Sequence, residues 1–373
     1  MATVISMIPY PFLPANNGGQ KGIALFNQYF SQHVRLIGIT VEQNDNTLAG
    51  YNTIPLFSAS RLRYINPFYI PRICRIIRNE KASHLMIEHP YMGWMALIIT
   101  MLTGIKLIVH SHNIEALRFK TTGKWWWKVL WLYEGFIHRK ANNSFFISDA
   151  DRDYAIKHYH ISAANSLVAT FGIEWDQPPS EEERKIAAKI VRQKHNIFPE
   201  EQLLLFVGAF KYPPNFEAYC IIRDKICPAL NDIGMPYKML ICGGGLEKEQ
   251  PSDPNIIIAG FVDDIHLYFK GADVFVNPVL DGGGIKTKVV EALGNNLSVV
   301  STFNGSIGID KNICGGKLTI VEEDDWALFA HQIREATIRQ SHIPVEFFQH
   351  FNWKYITAKA AKIVISDAQP DKD

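Results

Sequence analysis

The segment NPVLDGGGIKTKVVEALG, residues 277–294, joins an apolar run to a helical pattern through a glycine-rich loop. Apolar residues within 289–293 recur at helical spacing, which predicts a helix with one side against a core. A strand, a glycine loop and a helix in that order are typical of parallel α/β sheets, which bind ligands beyond the carboxyl ends of their strands. The backbone N–H groups of the loop, with Lys286 and Lys288 beside them, therefore predict a phosphate or diphosphate site.

Glu291 lies further along the same predicted helix and suggests a second contact to the ligand. A carboxylate can accept hydrogen bonds from two ribose hydroxyls. The alternative is an ion pair with Lys288, three residues earlier, which stabilises a helix by about 0.2–0.5 kcal/mol. The sequence contains neither GxxxxGK[ST] nor GxGxxG, which argues against a P-loop ATPase and a dinucleotide-binding enzyme.

The overall composition indicates a globular protein of about two domains. The chain has 373 residues, against a prior of roughly 150 residues per domain. Its 38 Lys and Arg balance 37 Asp and Glu, whereas nucleic-acid-binding proteins usually carry a basic surplus, so we expect no nucleic-acid partner. Five cysteines without a CxxC pair predict neither a disulfide framework nor a zinc site, and favour a reducing, cytoplasmic location.

The apolar stretches predict buried elements rather than a signal peptide or a membrane span. Prolines at 9, 11 and 14 interrupt the apolar start of the chain, and no basic segment precedes it. The longest apolar stretch, residues 92–109, contains glycine, threonine and lysine and falls short of the roughly 20 apolar residues that a span requires. We interpret it as a helix followed by a strand.

Short apolar runs alternate with helical patterns in both halves of the chain, which predicts two doubly wound parallel α/β domains. The predicted strands are 3–7, 34–40, 84–88, 106–110 and 143–147 in the first half, and 203–207, 237–242, 255–259, 272–276 and 298–301 in the second. A proline pair and an acidic run in WDQPPSEEER, residues 175–184, indicate an exposed connection. Residues 353–365 form an amphipathic helical pattern near the end.

A glycine pair and a glycine triplet also follow predicted strands. Gly18 and Gly19 come after the first strand and before a helix, where backbone amides can approach an anion. Residues 243–245 are three glycines after another strand. A plain turn explains each of them as well as a ligand site does.

Together these segments resemble one family. The segment GGIKTKVVEAL, residues 283–293, resembles the GGTRxKxxEAM block of the GT-B glycosyltransferases of family 4 type. Further segments resemble motifs of that family in the same order: YPFLPANNGG (10–19), HSHNIE (110–115), ISDADR (147–152), FVGAFKYPPN (206–215), AGFVDD (259–264), VVST (299–302) and GSIG (305–308). The resemblance spans about residues 3–310.

The resemblance implies an α/β protein of the GT-B fold, with two Rossmann-like doubly wound domains facing a cleft and a C-terminal helix that crosses back to the first domain. We expect an acceptor domain over residues 1–175, a linker over 176–200 and a nucleotide-sugar-binding domain over 201–352. The helix of residues 353–365 is expected to pack on the first domain.

The implied activity is transfer of a sugar from a nucleotide-diphosphate sugar to a glycan or lipid-linked acceptor, with retention of configuration and without a metal. The implied donor is a UDP- or GDP-sugar, with no other cofactor. The implied catalytic residues are His112 and Lys286. The implied donor contacts are Gly18, Gly19, Lys211, Gly284, Ile285 and Lys286 for the diphosphate, Glu291 for the ribose, and Phe261 and Val262 for the base.

The sequence departs from the family pattern at Gly283, where many members carry a glutamate eight positions before Glu291. Ala209 and Asn215 lie near positions where relatives carry Arg and Lys. We therefore expect the compensating charge to come from Lys286, Lys288 or Lys211. A non-catalytic nucleotide-sugar-binding protein, or a nucleotide-sugar epimerase of the same fold, remains an alternative to the transferase.

The first half also supplies residues for the acceptor side. We expect His112 to hydrogen-bond to the sugar, and His89 and Asn113 to lie beside the acceptor, since each follows a predicted strand. The alternative for these histidines is a structural role. Trp125, Trp126 and Trp127, flanked by lysines, suggest peripheral contact with the inner face of the membrane, whereas most tryptophans pack within a protein.

Overall fold

The computed structural model describes residues 2–15, 17–282 and 284–368. The chain forms two compact units. The first comprises Met1–Glu174 together with Phe351–Asp373, and the second comprises Trp175–His350. No helix among the described residues has the length and apolarity that crossing a bilayer requires.

The first unit is built on a parallel sheet of seven strands. Its strands are β1 (Thr3–Met7), β2 (Arg35–Val41), β3 (Asn52–Phe57), β4 (His84–Glu88), β5 (Lys106–Ser111), β6 (Asn143–Phe146) and β7 (Ser166–Val168). The order across the sheet is β3-β2-β1-β4-β5-β6-β7, and every pairing is parallel. The loops that follow β1, β4 and β5 therefore leave the same edge of the sheet from neighbouring strands.

The second unit is built on a parallel sheet of six strands. Its strands are β8 (Gln202–Val207), β9 (Tyr237–Cys242), β10 (Ile256–Gly260), β11 (Val274–Asn277), β12 (Ser298–Thr302) and β13 (Leu318–Val321). The order is β10-β9-β8-β11-β12-β13, again with parallel pairings throughout. The glycine-rich loops after β9 and β11 leave the sheet on either side of β8.

Helices connect the strands in both units. They are α1 (Gly18–Phe30), α2 (Tyr69–Asn79), α3 (Gly93–Thr103), α4 (Glu115–Thr121), α5 (Trp127–Lys140), α6 (Asp149–Tyr154), α7 (Glu181–His195), α8 (Pro213–Ile221), α9 (Cys227–Asp232), α10 (Ile265–Gly271), α11 (Thr287–Gly294), α12 (Trp326–Thr337), α13 (Val345–Phe351) and α14 (Trp353–Ala368). The helices α1 to α6 and α14 belong to the first unit.

Helices cover both faces of the first sheet, as the alternation of strands and helices requires. On one face, α2, α3 and α5 pack their apolar sides on strand residues such as Leu85 and Val109 to form a single buried cluster. On the other face, the Phe26 ring of α1 lies 4.2 Å from the His110 ring of β5. The last helix, α14, packs against α1, and its first residue, Trp353, contacts Phe171. The prediction of two parallel α/β domains, with a C-terminal helix that returns to the first, is therefore confirmed.

Residues 176–200, expected to be a linker, instead contain helix α7 as an integral part of the second unit. Ser180 and Glu183 form a capping box at its start, and α7 packs along α10. The Arg184 side chain donates hydrogen bonds to the main-chain oxygens of Asn296 and Ala272. The acidic run that suggested an exposed connection is the first turn of this helix, where negative charge interacts favourably with the helix dipole. The second unit therefore begins at Trp175.

Candidate functional site

In the first unit, the candidate site residues lie together where β4 and β5 end. Glu88 ends β4, and His110 lies opposite it on β5. His112 follows two residues later and therefore points to the same side as His110. The His112 Nε2 lies 2.8 Å from Oε2 of Glu88, while Asn27 of α1 donates a hydrogen bond of 2.9 Å to the other carboxylate oxygen. Both oxygens of this fully buried carboxylate are thus engaged.

The charge on Glu88 fixes the proton on His112. Complete burial by itself raises the pKa of a carboxyl, but His110 and His112 together hold the pKa of Glu88 well below its usual range. The ionised carboxylate accepts hydrogen bonds only, so Nε2 of His112 carries the hydrogen in this contact. The His110 Nδ1 lies 3.0 Å from the same Glu88 oxygen but is too poorly aligned for a hydrogen bond.

His89 is brought against His112 by an unusual backbone. Its φ of +64° lies in the left-handed region, which costs energy for a residue with a side chain. This conformation places the two imidazole rings 4.8 Å apart and the His89 Nδ1 3.3 Å from Oε1 of Glu115. Burial lowers the pKa of His89. Asn113 lies beside the same carboxylate, with its amide nitrogen 3.4 Å from Oε1. The structure thus brings together His112, His89 and Asn113.

A buried glutamate, Glu134 of α5, holds the start of α4 behind this cluster. Its two carboxylate oxygens accept hydrogen bonds from the backbone N–H groups of Glu115 and Ala116, at 3.1 and 3.0 Å. The Tyr159 hydroxyl donates a third, at 3.0 Å. Burial raises the pKa of Glu134 to about 7, against the lowering effect of these hydrogen bonds. Glu134 therefore fixes the segment that carries Asn113 and Glu115.

The predicted glycine pair of the first unit opens a helix. Gly18 and Gly19 are the first two residues of α1 and are exposed. The helix is capped by Asn17, whose side-chain oxygen accepts a hydrogen bond from the Gln20 N–H at 3.0 Å. The exposed glycines leave room for an anion to approach the backbone at this helix start.

In the second unit, the loop after β11 ends in a helix start that no side chain caps. Lys286 occupies the N-cap position of α11. Its ammonium group donates hydrogen bonds to the main-chain oxygens of Gly282 and Gly284, so it is held over the loop. Burial lowers the pKa of Lys286 to about 8, although Asp281 acts in the opposite direction. The positive end of the helix dipole and a lysine thus lie together, an arrangement that favours an anion.

Glu291 is buried and forms an ion pair. The Lys288 Nζ lies 2.6 Å from its Oε2, and only 2% of the glutamate side chain is exposed. Lys288 is therefore committed to Glu291, which leaves Lys286 as the lysine at the helix start. The ion pair that was the alternative explanation for Glu291 is present.

Polar residues at the ends of β11 and β12, and just after β12, hold the start of the loop that carries Lys286. The Asn277 amide donates to Oγ of Ser301 and to the main-chain oxygen of Gly305. Thr302 and Asn304 donate to the main-chain oxygens of Val279 and Leu280, at 2.5 and 2.7 Å. The start of the loop is therefore joined to the loop after β12, although the glycines themselves add no side chains.

The glycines after β9 serve chain packing. Gly243 has a φ of +131°, and a Cβ placed there would lie 1.8 Å from the main-chain oxygen of Gly208. The backbone N–H of Phe210 donates to the oxygen of Gly244 at 2.9 Å. The loops after β8 and β9 therefore approach each other too closely for any residue but glycine at position 243.

The remaining predicted donor contacts lie on loops at the same end of the second sheet. Phe261 is 85% exposed and follows β10, with the half-buried Val262 beside it. Lys211 is exposed after β8. Ile285 is buried and packs against Gly308. Gly283 lies outside the described residues.

One group of described residues could offer ligands to a metal ion. It comprises Glu88, His110 and His112, whose ligand atoms lie within 4.8 Å of one another. The acidic pair after β10 has a different role, because Asp264 caps α10 through the N–H groups of His266 and Leu267. Asp151, in the acidic start of α6, bonds to Ser148 at the beginning of that helix.

Sequence reasoning missed the contact from Glu88 to His112 and the capping role of Glu134. The signal for the first was present, because two parallel strands that are neighbours in a sheet end side by side, and the chain carries an acid at one end and histidines at the other. Glu134 lies mid-helix and bonds to a segment 18 and 19 residues earlier, for which no sequence pattern exists.

Both units match models of glycosyltransferase families. Residues 33–174 match "Glycosyltransferase Family 4" and residues 201–337 match "Glycosyl transferases group 1", which together cover about three quarters of the chain. With two parallel-sheet units of the GT-B type, the fold defines the class. The chain belongs to the GT-B glycosyltransferases of family 4 type.

Individual relatives are more distant. The chain is 28% identical over 141 residues to an uncharacterised 44.6 kDa protein in the cps region of Klebsiella pneumoniae, and the match spans 35% of this chain and 36% of that one. A glycosyltransferase from Rickettsia africae has a similar structure, with a TM-score of 0.70, 16% identity and 99% of each chain covered. So has the Anabaena protein Alr3699/HepE in complex with UDP and glucose, with a TM-score of 0.70, 13% identity and coverage of 98% and 100%.

Proposed function

We propose that this glycosyltransferase moves a sugar from a UDP- or GDP-sugar to a glycan or lipid-linked acceptor, with retention of configuration and without a metal ion. The observation that carries the proposal is the start of α11, where an uncapped helix N-terminus and Lys286 lie together. The similar Anabaena structure in complex with UDP and glucose supports a nucleotide-sugar donor. We place the reaction in the cytoplasm, at the inner face of the membrane.

In this proposal the second unit binds the donor. Gly284, Ile285 and Lys286 bind the diphosphate through backbone N–H groups and one positive charge, with Lys211 as a second cation. Glu291 binds the ribose hydroxyls while Lys288 holds its carboxylate in place. Phe261 and Val262 contact the base, and the 85% exposure of Phe261 leaves its ring free to stack.

The first unit supplies His112, together with Gly18 and Gly19 as further donors to the diphosphate. His112 hydrogen-bonds to the sugar while Glu88 holds the ring. His89 and Asn113 lie on the acceptor side. The bond between the anomeric carbon and the phosphate oxygen breaks, and the acceptor oxygen bonds to that carbon from the same face. The acceptor proton passes to the leaving phosphate, so the step needs no protein base.

The charge that develops on the leaving diphosphate is stabilised by groups already in place. Polar residues hold the start of the loop after β11, and the Lys286 ammonium group bonds to the main-chain oxygens of Gly282 and Gly284, so we expect little rearrangement at the start of α11 when the donor binds. Preorganised donors of this kind contribute much of the rate enhancement of many enzymes. In this proposal these groups supply the positive charge that a metal ion supplies in other transferases.

Donor binding is the first test. UDP, GDP, ADP and dTDP and their glucose conjugates are compared by the shift each causes in the melting temperature, since a ligand at about 100 times its Kd stabilises by about 2.7 kcal/mol. We expect one nucleotide to give a selective shift that Lys286→Ala reduces. Lys189→Ala, an exposed lysine of α7, is the matched control and should behave as wild type.

The chemistry is then separated from binding. The enzyme either transfers the sugar of the selected donor to an acceptor or slowly hydrolyses the donor. NMR of the transferred or released sugar should show the anomeric configuration of the donor. Inversion would overturn the retaining mechanism. Conversion of the donor to an epimer without transfer would favour the epimerase, and binding without turnover would favour the non-catalytic binding protein. The absence of a shift with every donor would overturn the assignment of α11.

A further inference from the structure

One surface of the first unit exposes large apolar side chains on two neighbouring helices. Met101 is 84% exposed and Leu102 is 57% exposed on α3, while Leu132 is 62% exposed on α5. The apolar face, as we define it, comprises Ile98, Met101 and Leu102 of α3 and Val129, Leu132 and Phe136 of α5. Side chains three or four residues apart share one side of a helix, so each helix presents its part of the face as a continuous stripe.

The inner sides of these helices are also apolar. Met95 and Ile99 of α3 and Ile137 of α5 belong to the buried cluster on the sheet. A surface helix of a globular protein usually has a polar outer side, and α3 has no charged residue between Gly93 and Thr103. The two helices contact each other through the first turn of α3, where Gly93 lies against Ile137, and both pack on the same face of the sheet. Their outer stripes are therefore exposed on the same side of the first unit, and exposed apolar surface of this extent marks an interaction site.

The surface beside the apolar face is basic. Helix α2 packs against α3 and exposes Arg72, Arg75 and Arg78. Arg75 and Arg78 line a groove of about 500 Å³ between the two helices, with Leu102 at its other wall. The groove thus combines guanidinium groups, which bind phosphate well, with apolar lining residues such as Ile70 and Leu102.

The segment that carries these helices contains few exposed acidic side chains. Residues 46–148 contain 13 Lys and Arg and only four acidic residues, namely Glu80, Glu88, Glu115 and Glu134. Three of the four, Glu88, Glu115 and Glu134, are buried, and Glu80 pairs with Arg35 at 2.5 Å. The chain as a whole is nearly neutral, so the positive charge is concentrated on the unit that carries the apolar face.

We propose that the apolar face and the arginines of α2 bind the surface of a bilayer rich in anionic lipids. Apolar side chains enter the boundary between headgroups and acyl chains while arginines contact phosphates, which is how peripheral helices bind membranes. The surface deepens the proposed function, because it would hold the enzyme where a lipid-linked acceptor resides. Among the three tryptophans, Trp125 is 86% exposed and extends the α5 stripe, whereas Trp126 packs on Phe119.

Flotation of the full chain with vesicles tests this surface. Vesicles of phosphatidylcholine alone are compared with vesicles containing 30 mol% phosphatidylglycerol, at low and at physiological salt. We expect binding to the anionic vesicles only. The triple variant Arg72→Gln, Arg75→Gln, Arg78→Gln should weaken that binding on the order of 100-fold, from about 1 kcal/mol per basic residue near an anionic membrane.

The apolar contribution is tested separately with the double variant Met101→Gln, Leu132→Gln. It should lose the binding that persists at physiological salt. The matched control is Ile186→Gln, Ile190→Gln, which removes two exposed apolar side chains from α7 of the second unit and should float as wild type does. Failure of the wild-type chain to float at either salt concentration, or equal loss in the control, would overturn the proposal.

A second copy of the chain is the competing occupant. A dimer in solution that Met101→Gln, Leu132→Gln converts to a monomer, without flotation of the wild type, would assign the face to self-association and overturn the membrane surface. Donor-induced shifts in melting temperature are measured on the same variants. Flotation without any donor-induced shift in melting temperature would reject the proposed function but retain this surface. Such shifts without flotation would reject this surface but retain the proposed function.

Discussion

The Nε2 atom of His112 and the Oε2 atom of Glu88 lie 2.8 Å apart, across the ends of two neighbouring parallel strands. The contact fixes the orientation of the ring, because the carboxylate accepts the Nε2 hydrogen. It therefore leaves Nδ1 as the atom available to a substrate hydroxyl. Glu88 is therefore a positioning residue, because it acts through His112. His112 itself is the group proposed to touch the sugar.

Replacement of His112 by alanine is expected to lower kcat by about 10²-fold or more, because hydrogen bonds to reacting groups have effects of this size. The melting temperature should stay close to wild type, and the donor affinity should fall much less than kcat, since most of the proposed donor contacts are made by the second unit. His331→Ala removes an exposed histidine of α12 and serves as the control. Turnover near the wild-type rate in His112→Ala would reject the catalytic assignment.

Replacement of Glu88 by glutamine removes the charge that holds His112 while keeping the shape of the side chain. A charge-assisted hydrogen bond contributes roughly 1.5–3 kcal/mol, so we expect kcat to fall between about 10-fold and 100-fold, with little change in the donor KM. The pH profile of kcat should shift as well, because the imidazole loses its carboxylate partner. When His112 is already alanine, Glu88→Gln should have almost no further effect on kcat. If Glu88→Gln lowered kcat by the same factor in that background, the role of Glu88 would be merely structural.

Metal dependence can be decided at the same cluster. Glu88, His110 and His112 are within reach of a common ion, but the Glu88–His112 distance is that of a hydrogen bond. We therefore expect turnover to persist after dialysis against a chelator and to be unchanged by added Mg²⁺, Mn²⁺ or Zn²⁺. Activity that a chelator abolishes, that one of these ions restores, and that His110→Ala makes insensitive to the ion would identify a metal site instead.

The central strands of both sheets could be predicted from the sequence, whereas most of the edge strands could not. The predicted strands 3–7, 84–88 and 237–242 agree with the structure residue for residue. The strands missed were β3, β7 and β13, and each lies at an edge of its sheet. A central parallel strand is buried on both faces and forms a continuous apolar run, while an edge strand is half-exposed and less apolar. β3, for example, contains Pro55, which weakens a strand pattern.

The candidate site could be predicted only in part, for a similar reason. Glycine loops and single histidines at strand ends leave local patterns, so Gly18, Lys286 and His112 could be identified as site residues. The contacts that fix them are between distant segments, as the bond from Asn27 to Glu88 shows, since the two residues are 61 positions apart in the sequence. Such contacts depend on the order of strands in the sheet, which one sequence does not specify.

Lys286 is expected to make donor binding depend on pH. Burial lowers its pKa to about 8, so the side chain is charged below pH 8 and loses its charge as the pH rises through that value. The Kd for the preferred nucleotide-sugar should therefore increase between pH 7 and pH 9.5. Lys286→Arg keeps the charge throughout this range, so its Kd should be nearly constant. An equal dependence on pH in both proteins would place the titrating group elsewhere.

Glu134 gives a prediction for stability. Burial raises its pKa to about 7 from an ordinary value of 4.5, so between these values the folded protein holds a proton that the unfolded chain has released. The contribution of Glu134 to stability is therefore fully present below pH 4.5 and is lost as the pH rises through 7. Glu134→Gln cannot ionise, so its melting temperature relative to wild type should rise between pH 5 and pH 8. Glu182→Gln, at an exposed position of α7, should show a constant difference. The same constant difference in Glu134→Gln would show that Glu134 is ionised throughout this range and that its hydrogen bonds to α4 outweigh the cost of burial.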